Sequence, residues 1–513
     1  MSKFDETSPR RVIPRWRAAK DSAGAAERIP LPAESLPPPV ENETVLSEAL
    51  QAWSKQPSLG TALDLLSSAQ LFEAFDVARS AAKFVLKQRE LVPALAAELA
   101  TSVLARRRYQ APVQDTIRGS KSRLRSQINN PLLLVDLARH YSSIGQKKKA
   151  SRYMHMALRF APNHRFVLRA ASRLFVHLNE LDRAQDLLAA RGVTQGDPWL
   201  MAAEISVASV ADRKSRFIKR GAELLKSARF PPDQLTELSS ALATVELNNG
   251  KTKVAKQLFS DSLVRPNDNV LAQAEWAMRT HKLELPVAER VETISKTFET
   301  DFWLRYQAKD LGNAKVLAEA WRADEPFSVR PAIMGQFTAC LDEDYELARR
   351  FTKEGLIANP QHPQLIQNLV FLEAMTGHLM TAWSLLSHHY KEDSVQSMAN
   401  LGLIAYRSGN IELGRRCYEF SIRQARKHED PHFRAMAEAN YAREAFLAKD
   451  PEASKIIRRA TETIQKAPQL IGAQLVWART QRYLRGQAVA PTPELPVENL
   501  EKTSTYRRLL DSR

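Results

Sequence analysis

The chain of 513 residues carries 74 Lys and Arg against 58 Asp and Glu, a formal net charge of +16, with 44% hydrophobic residues and two cysteines. Two cysteines, Cys340 and Cys417, exclude a disulfide framework, and no stretch approaches the roughly 20 apolar residues that a membrane helix needs, so a cytoplasmic protein without membrane association is expected. Glycine is scarce at 17 residues, good helix formers dominate, and no sustained alternating Val/Ile/Thr run argues for a sheet, so the expected fold class is all-α.

Residues 1–42 read as a disordered, basic and Pro-rich arm. It contains the run Arg10-Arg11-Val12-Ile13-Pro14-Arg15-Trp16-Arg17, followed by Pro30, Pro32, Pro37, Pro38 and Pro39, and proline at that density favours an extended strut over a helix. Its start lacks the apolar stretch of a secretory signal, and Asp5 and Glu6 are unlike a mitochondrial transit peptide. Arg15, Trp16 and Arg17 form a candidate docking motif, with Trp16 the kind of anchor enriched at binding hot spots. The competing reading is that this run packs back onto the protein itself, reaching an acidic stretch such as Asp342-Glu343-Asp344.

Residues 43–129 read as an N-terminal helical capping region, with periodicity first visible at Val45, Leu46, Ala49, Leu50 and Trp53. Positive charge is concentrated from here on: residues 101–200 hold 18 basic against 6 acidic side chains, whereas residues 301–400 hold 9 against 13. Such concentration points to an anionic partner more than uniform basicity does. Arg106, Arg107, Arg108, Arg118, Lys121, Arg123 and Arg125 form a candidate anion or nucleic-acid patch, suited to phosphates without base readout.

From residue 130 the sequence repeats. Pro131, Leu134, Leu137, Ala138, Tyr141, Ala150, Met154 and Ala157 fall at fixed offsets. Leu168, Ala171, Ser172, Phe175, Ala184 and Leu188 take corresponding places one unit later, and Ala348 and Ala382 stand one such step apart. Gly145, Gly250, Gly377 and Gly409 fall where a hairpin must turn, and Pro162, Pro266 and Pro360 where a second helix must stop. This pattern resembles the tetratricopeptide repeat, in which small residues sit where two helices of a hairpin touch and large ones where hairpins stack. The resemblance covers residues 130–325, partly degenerate around 199–230 and 272–323, and residues 326–485, with units starting at Val329, Pro363, Val395 and Pro431. It implies an α-solenoid of stacked antiparallel helical hairpins, flanked by disordered tails, the C-terminal one being 486–513.

Catalytic motifs fail on inspection. His428-Glu429-Asp430-Pro431-His432 has the letters of a zinc-protease pattern, but Pro431 disfavours the continuous helix that would stack both histidines. Asn249-Gly250-Lys251-Thr252 ends like a phosphate-binding loop but has Val245 where the first glycine belongs. His388-His389 has no third ligand nearby at a useful spacing. No metal, cofactor or enzymatic activity is expected.

The tetratricopeptide resemblance implies a concave groove lined by set positions of each first helix. It places Arg139 at the ninth position of one unit, and Arg169 and Arg173 at the fifth and ninth of the next. Forked guanidiniums there suit carboxylates or phosphates. The arrangement is similar in spirit to the carboxylate clamp of chaperone-binding members, and departs from it at Val135. The expected function is a non-catalytic protein-interaction adaptor that selects acidic segments from one or more protein partners. The alternative is a basic solenoid that binds RNA or DNA and delivers an associated nuclease or regulator to it.

Overall fold

Asn130 and Asp197 each precede a proline, and each side chain accepts the first free backbone N–H groups of the helix that follows. The Asn130 carboxamide oxygen lies 3.0 Å from Leu132 N and 3.3 Å from Leu133 N. Proline at the next position loses nothing, because its missing N–H would find no partner in a first turn. Asp430 caps the helix beginning at Pro431 in the same way, accepting from Phe433 N at 3.0 Å. The sequence His428 to His432 is therefore a turn and a helix start, with Glu429 left-handed at φ 52°.

The computed structural model describes residues 10–19, 42–71, 77–88, 91–93, 96–97, 99–100, 103, 113–190, 192–227, 229–389 and 394–488. Among them are 25 α-helices and no strand. Two compact units divide the chain, one of residues 28–128 and one that joins residues 1–27 to 129–513. The smaller contains α1 (Asn42–Lys55), α2 (Leu59–Leu71), α3 (Arg79–Lys87) and α4 (Val113–Ser126). Its core gathers Trp53, Leu65, Leu66 and Val85.

The larger unit is an array of antiparallel hairpins. Its helices are α5 (Pro131–Ser143), α6 (Lys147–Phe160), α7 (Arg165–His177), α8 (Leu181–Ala189), α9 (Pro198–Val210), α10 (Ile218–Lys226), α11 (Pro232–Asn248) and α12 (Thr252–Ser262). They continue as α13 (Asp268–His281), α14 (Val287–Val291), α15 (Phe298–Gln307), α16 (Leu311–Asp324), α17 (Val329–Leu341), α18 (Tyr345–Ala358), α19 (Pro363–Met375) and α20 (Leu379–His389). The last five are α21 (Val395–Arg407), α22 (Ile411–Lys427), α23 (Pro431–Leu447), α24 (Ala453–Gln465) and α25 (Ile471–Leu484). First helices begin at the expected Val329, Pro363, Val395 and Pro431, and the degenerate stretches are helical too, interrupted by the short α14.

Small residues let the hairpins close. A Cβ on Gly335 would lie 2.5 Å from the Phe351 ring, and one on Gly414 would lie 2.5 Å from the Tyr406 ring. Cys340 and Cys417 are buried in these helices, and burial pushes the Cys340 thiol up to about 12. Gly145, Gly250, Gly377 and Gly409 all turn with positive φ, as their hairpin positions require.

Within the larger unit the array returns upon itself. The Cβ that Gly145 lacks would sit 2.5 Å from the Ile357 carbonyl oxygen, so the turn after α5 meets the end of α18. Phe327, between α16 and α17, packs edge-on against His177 of α7 at 5.5 Å. Into the space so enclosed runs residues 10–19, an extended segment. The expectation of disorder fails for these ten residues, because the array supplies the partners that the arm cannot supply alone. The tail from 489 onward, with the rest of the arm to residue 41, lies outside the described residues.

The two turn glycines Gly145 and Gly250 are equivalent in the repeat but differ in surroundings, since nothing lies within 4 Å of the Cβ position at Gly250. Gly250→Ala is expected to cost about 1–2 kcal/mol from left-handed strain alone. Gly145→Ala adds the clash with Ile357, about 1–3 kcal/mol more, and chemical-denaturation midpoints of the two variants should show that order.

Candidate functional site

Residues 10–17 alternate in burial. Arg10, Val12, Pro14 and Trp16 are buried while Arg11, Ile13, Arg15 and Arg17 are half-buried, as an extended chain with a period of two requires. Trp16 is fully buried, its ring 5.1 Å from that of Phe327, and Val12 is 1% exposed.

The arginines of the arm meet four carboxylates, Asp268, Glu299, Asp324 and Glu325. Arg10 grips Glu299 with two hydrogen bonds of 3.0 Å and also donates to Gln273 Oε1 at 3.0 Å and Asn269 Oδ1 at 2.9 Å. Arg15 reaches Asp268 at 3.1 Å, Glu299 at 2.6 Å and Glu325 at 2.8 Å. Arg17 bridges Asp268 at 2.8 Å and Asp324 at 2.7 Å. Arg11 donates to Ser209 Oγ at 2.7 Å and stands 5.9 Å from the Trp276 ring centre.

Side chains also hold the main chain of the arm. Gln273 donates to Arg10 O at 3.0 Å, Asn269 to Ile13 O at 3.1 Å, and Arg139 to Trp16 O at 3.0 Å. The Ala19 N–H donates to Asp136 Oδ1 at 2.8 Å. Burial alone would raise the carboxyls of Glu299, Asp268 and Glu325, but the guanidiniums reverse that. Glu299 is held well below its ordinary value by Arg10, Arg15 and Arg330; Asp268 is lowered by Arg17, Arg15 and Arg10, and Glu325 by Arg15 and Arg173. Burial, then Arg173 and Lys147, push the His177 imidazole down to about 3, so it packs against Phe327 as a neutral ring.

The expected groove arginines part company here. Arg139 does face the groove, but its partners are Trp16 O and, at 2.8 Å, Asp324 O. Arg173 lies 4.9 Å from the Phe327 ring centre, behind the Trp16 pocket. Arg169 is turned away, forming hydrogen bonds of 2.8 Å and 3.2 Å with Glu237 at 3% and 1% side-chain exposure. Glu237 also accepts from Asn269, so Arg169 supports the arm at second hand. Arg15, Trp16 and Arg17, expected as a motif that docks on another protein, lie here in this protein's own groove, as the competing reading had it. Asp342-Glu343-Asp344 is not the acidic stretch they reach: Asp342 and Asp344 pair with Lys315, and Glu343 with Arg479 and Arg482.

Of the proposed anion patch, Arg106, Arg107 and Arg108 lie outside the described residues. Arg118, Lys121, Arg123 and Arg125 sit on α4, with Arg118 paired 2.9 Å from Asp115 at the surface. Sequence reasoning missed Asp268, Asn269, Gln273, Glu299, Asp324, Glu325 and Phe327. The available signal was polar residues on α13 at positions a repeat would fill with apolar ones: Asn269 and Gln273, four apart, are 1% and 0% exposed.

No family model matches the chain, and no curated protein matches it. Among solved structures it is similar to yeast Tom70, at 10% identity over 89% of this chain and 99% of that one, with a TM-score of 0.32. It is also similar to the APC/C hetero-tetramer Cut9–Hcn1, at 11% identity over 91% and 98%, with a TM-score of 0.30. At these scores the similarities carry no argument about this chain.

Two outcomes follow from the geometry. The lowered carboxyls stabilise the docked arm fully above their ordinary range, and this is lost as pH falls through their lowered values. Protection of the residue 10–17 amides, measured against their intrinsic exchange rates, should therefore be flat from neutrality to about pH 5 and fall below about pH 4. Arg169→Met strands Glu237 in a dry site and should lower unfolding free energy by about 3–5 kcal/mol, measured by urea denaturation.

Proposed function

We propose that this chain is a non-catalytic protein-interaction scaffold of tetratricopeptide type, working through the concave groove of its larger unit. The observation that carries the reading is that the groove already handles a peptide: an extended stretch held by alternate buried side chains and by side-chain contacts to its main chain. Recognition of an extended segment by pockets for every second residue is a known mode of peptide binding. The polarity of the groove argues against selection of acidic segments. Asp268, Glu299, Asp324 and Glu325 line it, while Arg169 is committed to Glu237.

The alternative, a nucleic-acid solenoid, needs the groove arginines to continue the basic surface of α4. Arg139 and Arg173 face Trp16 O and the Phe327 ring instead.

Capture of the tagged chain from its native cells, with and without nuclease, tests the choice. Protein partners should survive nuclease at similar yield, and Glu299→Gln with Asp268→Asn should change which partners are recovered. Recovery of nucleic acid alone, or of partners that vanish with nuclease, would establish the alternative.

A further inference from the structure

We infer that residues 10–17 are an exchangeable occupant of the groove, standing in for a partner segment of the same chemistry: an extended stretch with a cation, two apolar residues spaced by two, and a cation–aromatic–cation end. The inference rests on the scaffold reading and names the ligand class of that same groove.

The first argument is where the charge comes from. The cations that lower Asp268 are Arg17, Arg15 and Arg10, all from the arm, and Glu325 depends on Arg15 before Arg173. Asp324 forms a forked pair with Arg17, at 2.9 Å and 3.0 Å to the guanidinium Nε. The groove thus carries an anionic face whose principal counter-charges arrive on a separate segment. A solenoid designed around a permanent filling would more simply place apolar residues there, because buried ion pairs rarely outdo well-packed hydrophobes in stability and serve specificity better.

The second argument is how the arm is joined to the array. It is not consecutive with any hairpin of the larger unit. After Ala19 the next described helix is α1, in the other unit. Its side chains enter pockets, and its main chain is met by Asn269, Gln273, Arg139 and Asp136. These are contacts any chain with the same side chains in the same register can make.

The third argument is selectivity. The Trp16 pocket is bounded by Phe327, whose ring is met edge-on by His177 and approached at 4.9 Å by the Arg173 guanidinium. The flanking carboxylates demand a cation on each side, from Arg15 and Arg17. An acidic or neutral segment would strip Asp268 and Asp324 of the arginines they pair with and leave Glu299 with Arg330 alone, so the partner must be basic.

The test is binding of a labelled synthetic peptide spanning residues 8–19 to full-length chains. In the wild-type chain the arm competes, and apparent affinity falls by the fraction of time the groove is open. A chain carrying Arg15→Asp and Arg17→Asp should bind the peptide at least about tenfold more tightly than wild type. Adding Asp268→Asn and Glu299→Gln to that chain should remove the gain. Equal binding to wild type and arm variant, or binding indifferent to Asp268 and Glu299, overturns the inference. So does loss of the cooperative melt in both the charge variant and a separate Trp16→Ala chain, which would make the arm a permanent strut. A wild-type mass that doubles with concentration, and does not in the arm variant, would make the occupant a second copy and overturn the partner assignment. Failure of cellular capture with peptide binding intact would remove the scaffold reading alone.

Discussion

Two helices of a hairpin approach only as closely as the residues between them permit, and that distance governs everything built on top. Where Gly335 faces Phe351 and Gly414 faces Tyr406, the absent side chain lets an aromatic ring lie against the opposite backbone. Large residues then fill the seam between hairpins, as Tyr306 of α15 does against Phe337 of α17 at 6.3 Å and Tyr418 of α22 against Tyr441 of α23 at 5.0 Å. Alternating tight contacts within hairpins and bulky ones between them gives each unit a rotation relative to the last, and such rotations accumulate into a curved array with a concave face. The groove is a product of side-chain volumes long before any charge is placed in it.

Charge enters where the apolar pattern is interrupted. Glu299 is buried yet ionised, which is tolerable only with several guanidiniums in contact: Arg10, Arg15 and Arg330. Guanidiniums suit the task because their planar forks bind carboxylates in pairs and lose little hydration. The same site mixes apolar anchoring with ionic matching. Trp16 and Val12 supply area removed from water, while the arginines fix which register the segment can adopt. A shift by one residue would move Trp16 out of the fully buried place it holds beside Phe327.

The hairpins were legible because they depend on short-range features. Capping residues, turn glycines and the 34-residue step of α5 to α7 write the boundaries of helices directly into the sequence. The groove's chemistry was half legible. The basic–aromatic run 10–17 stood out, and so did the idea that it folds back. Its acidic counterpart did not, because Asp268, Glu299 and Glu325 come from the ends of three different helices and look, one at a time, like ordinary helix-terminal acids. One of the two stretches that fitted the repeat loosely, 272–323, holds or adjoins them. Arg169 misled for a related reason: repeat position predicts which face a residue occupies, but not whether a buried Glu237 on α11 will claim it.

The contact between Gly145 and Ile357 has a kinetic meaning. Because α5 and α18 touch, the arm lies inside a closed loop of helices, and a segment can enter sideways only while that contact is broken. Otherwise it must pass in by its free end. Access then depends on a contact that involves none of the carboxylates, so residence time and affinity are set by different residues. A ligand matched to the groove would dissociate slowly even at modest strength, and loosening one glycine turn would speed arrival and departure together without altering a single ionic contact.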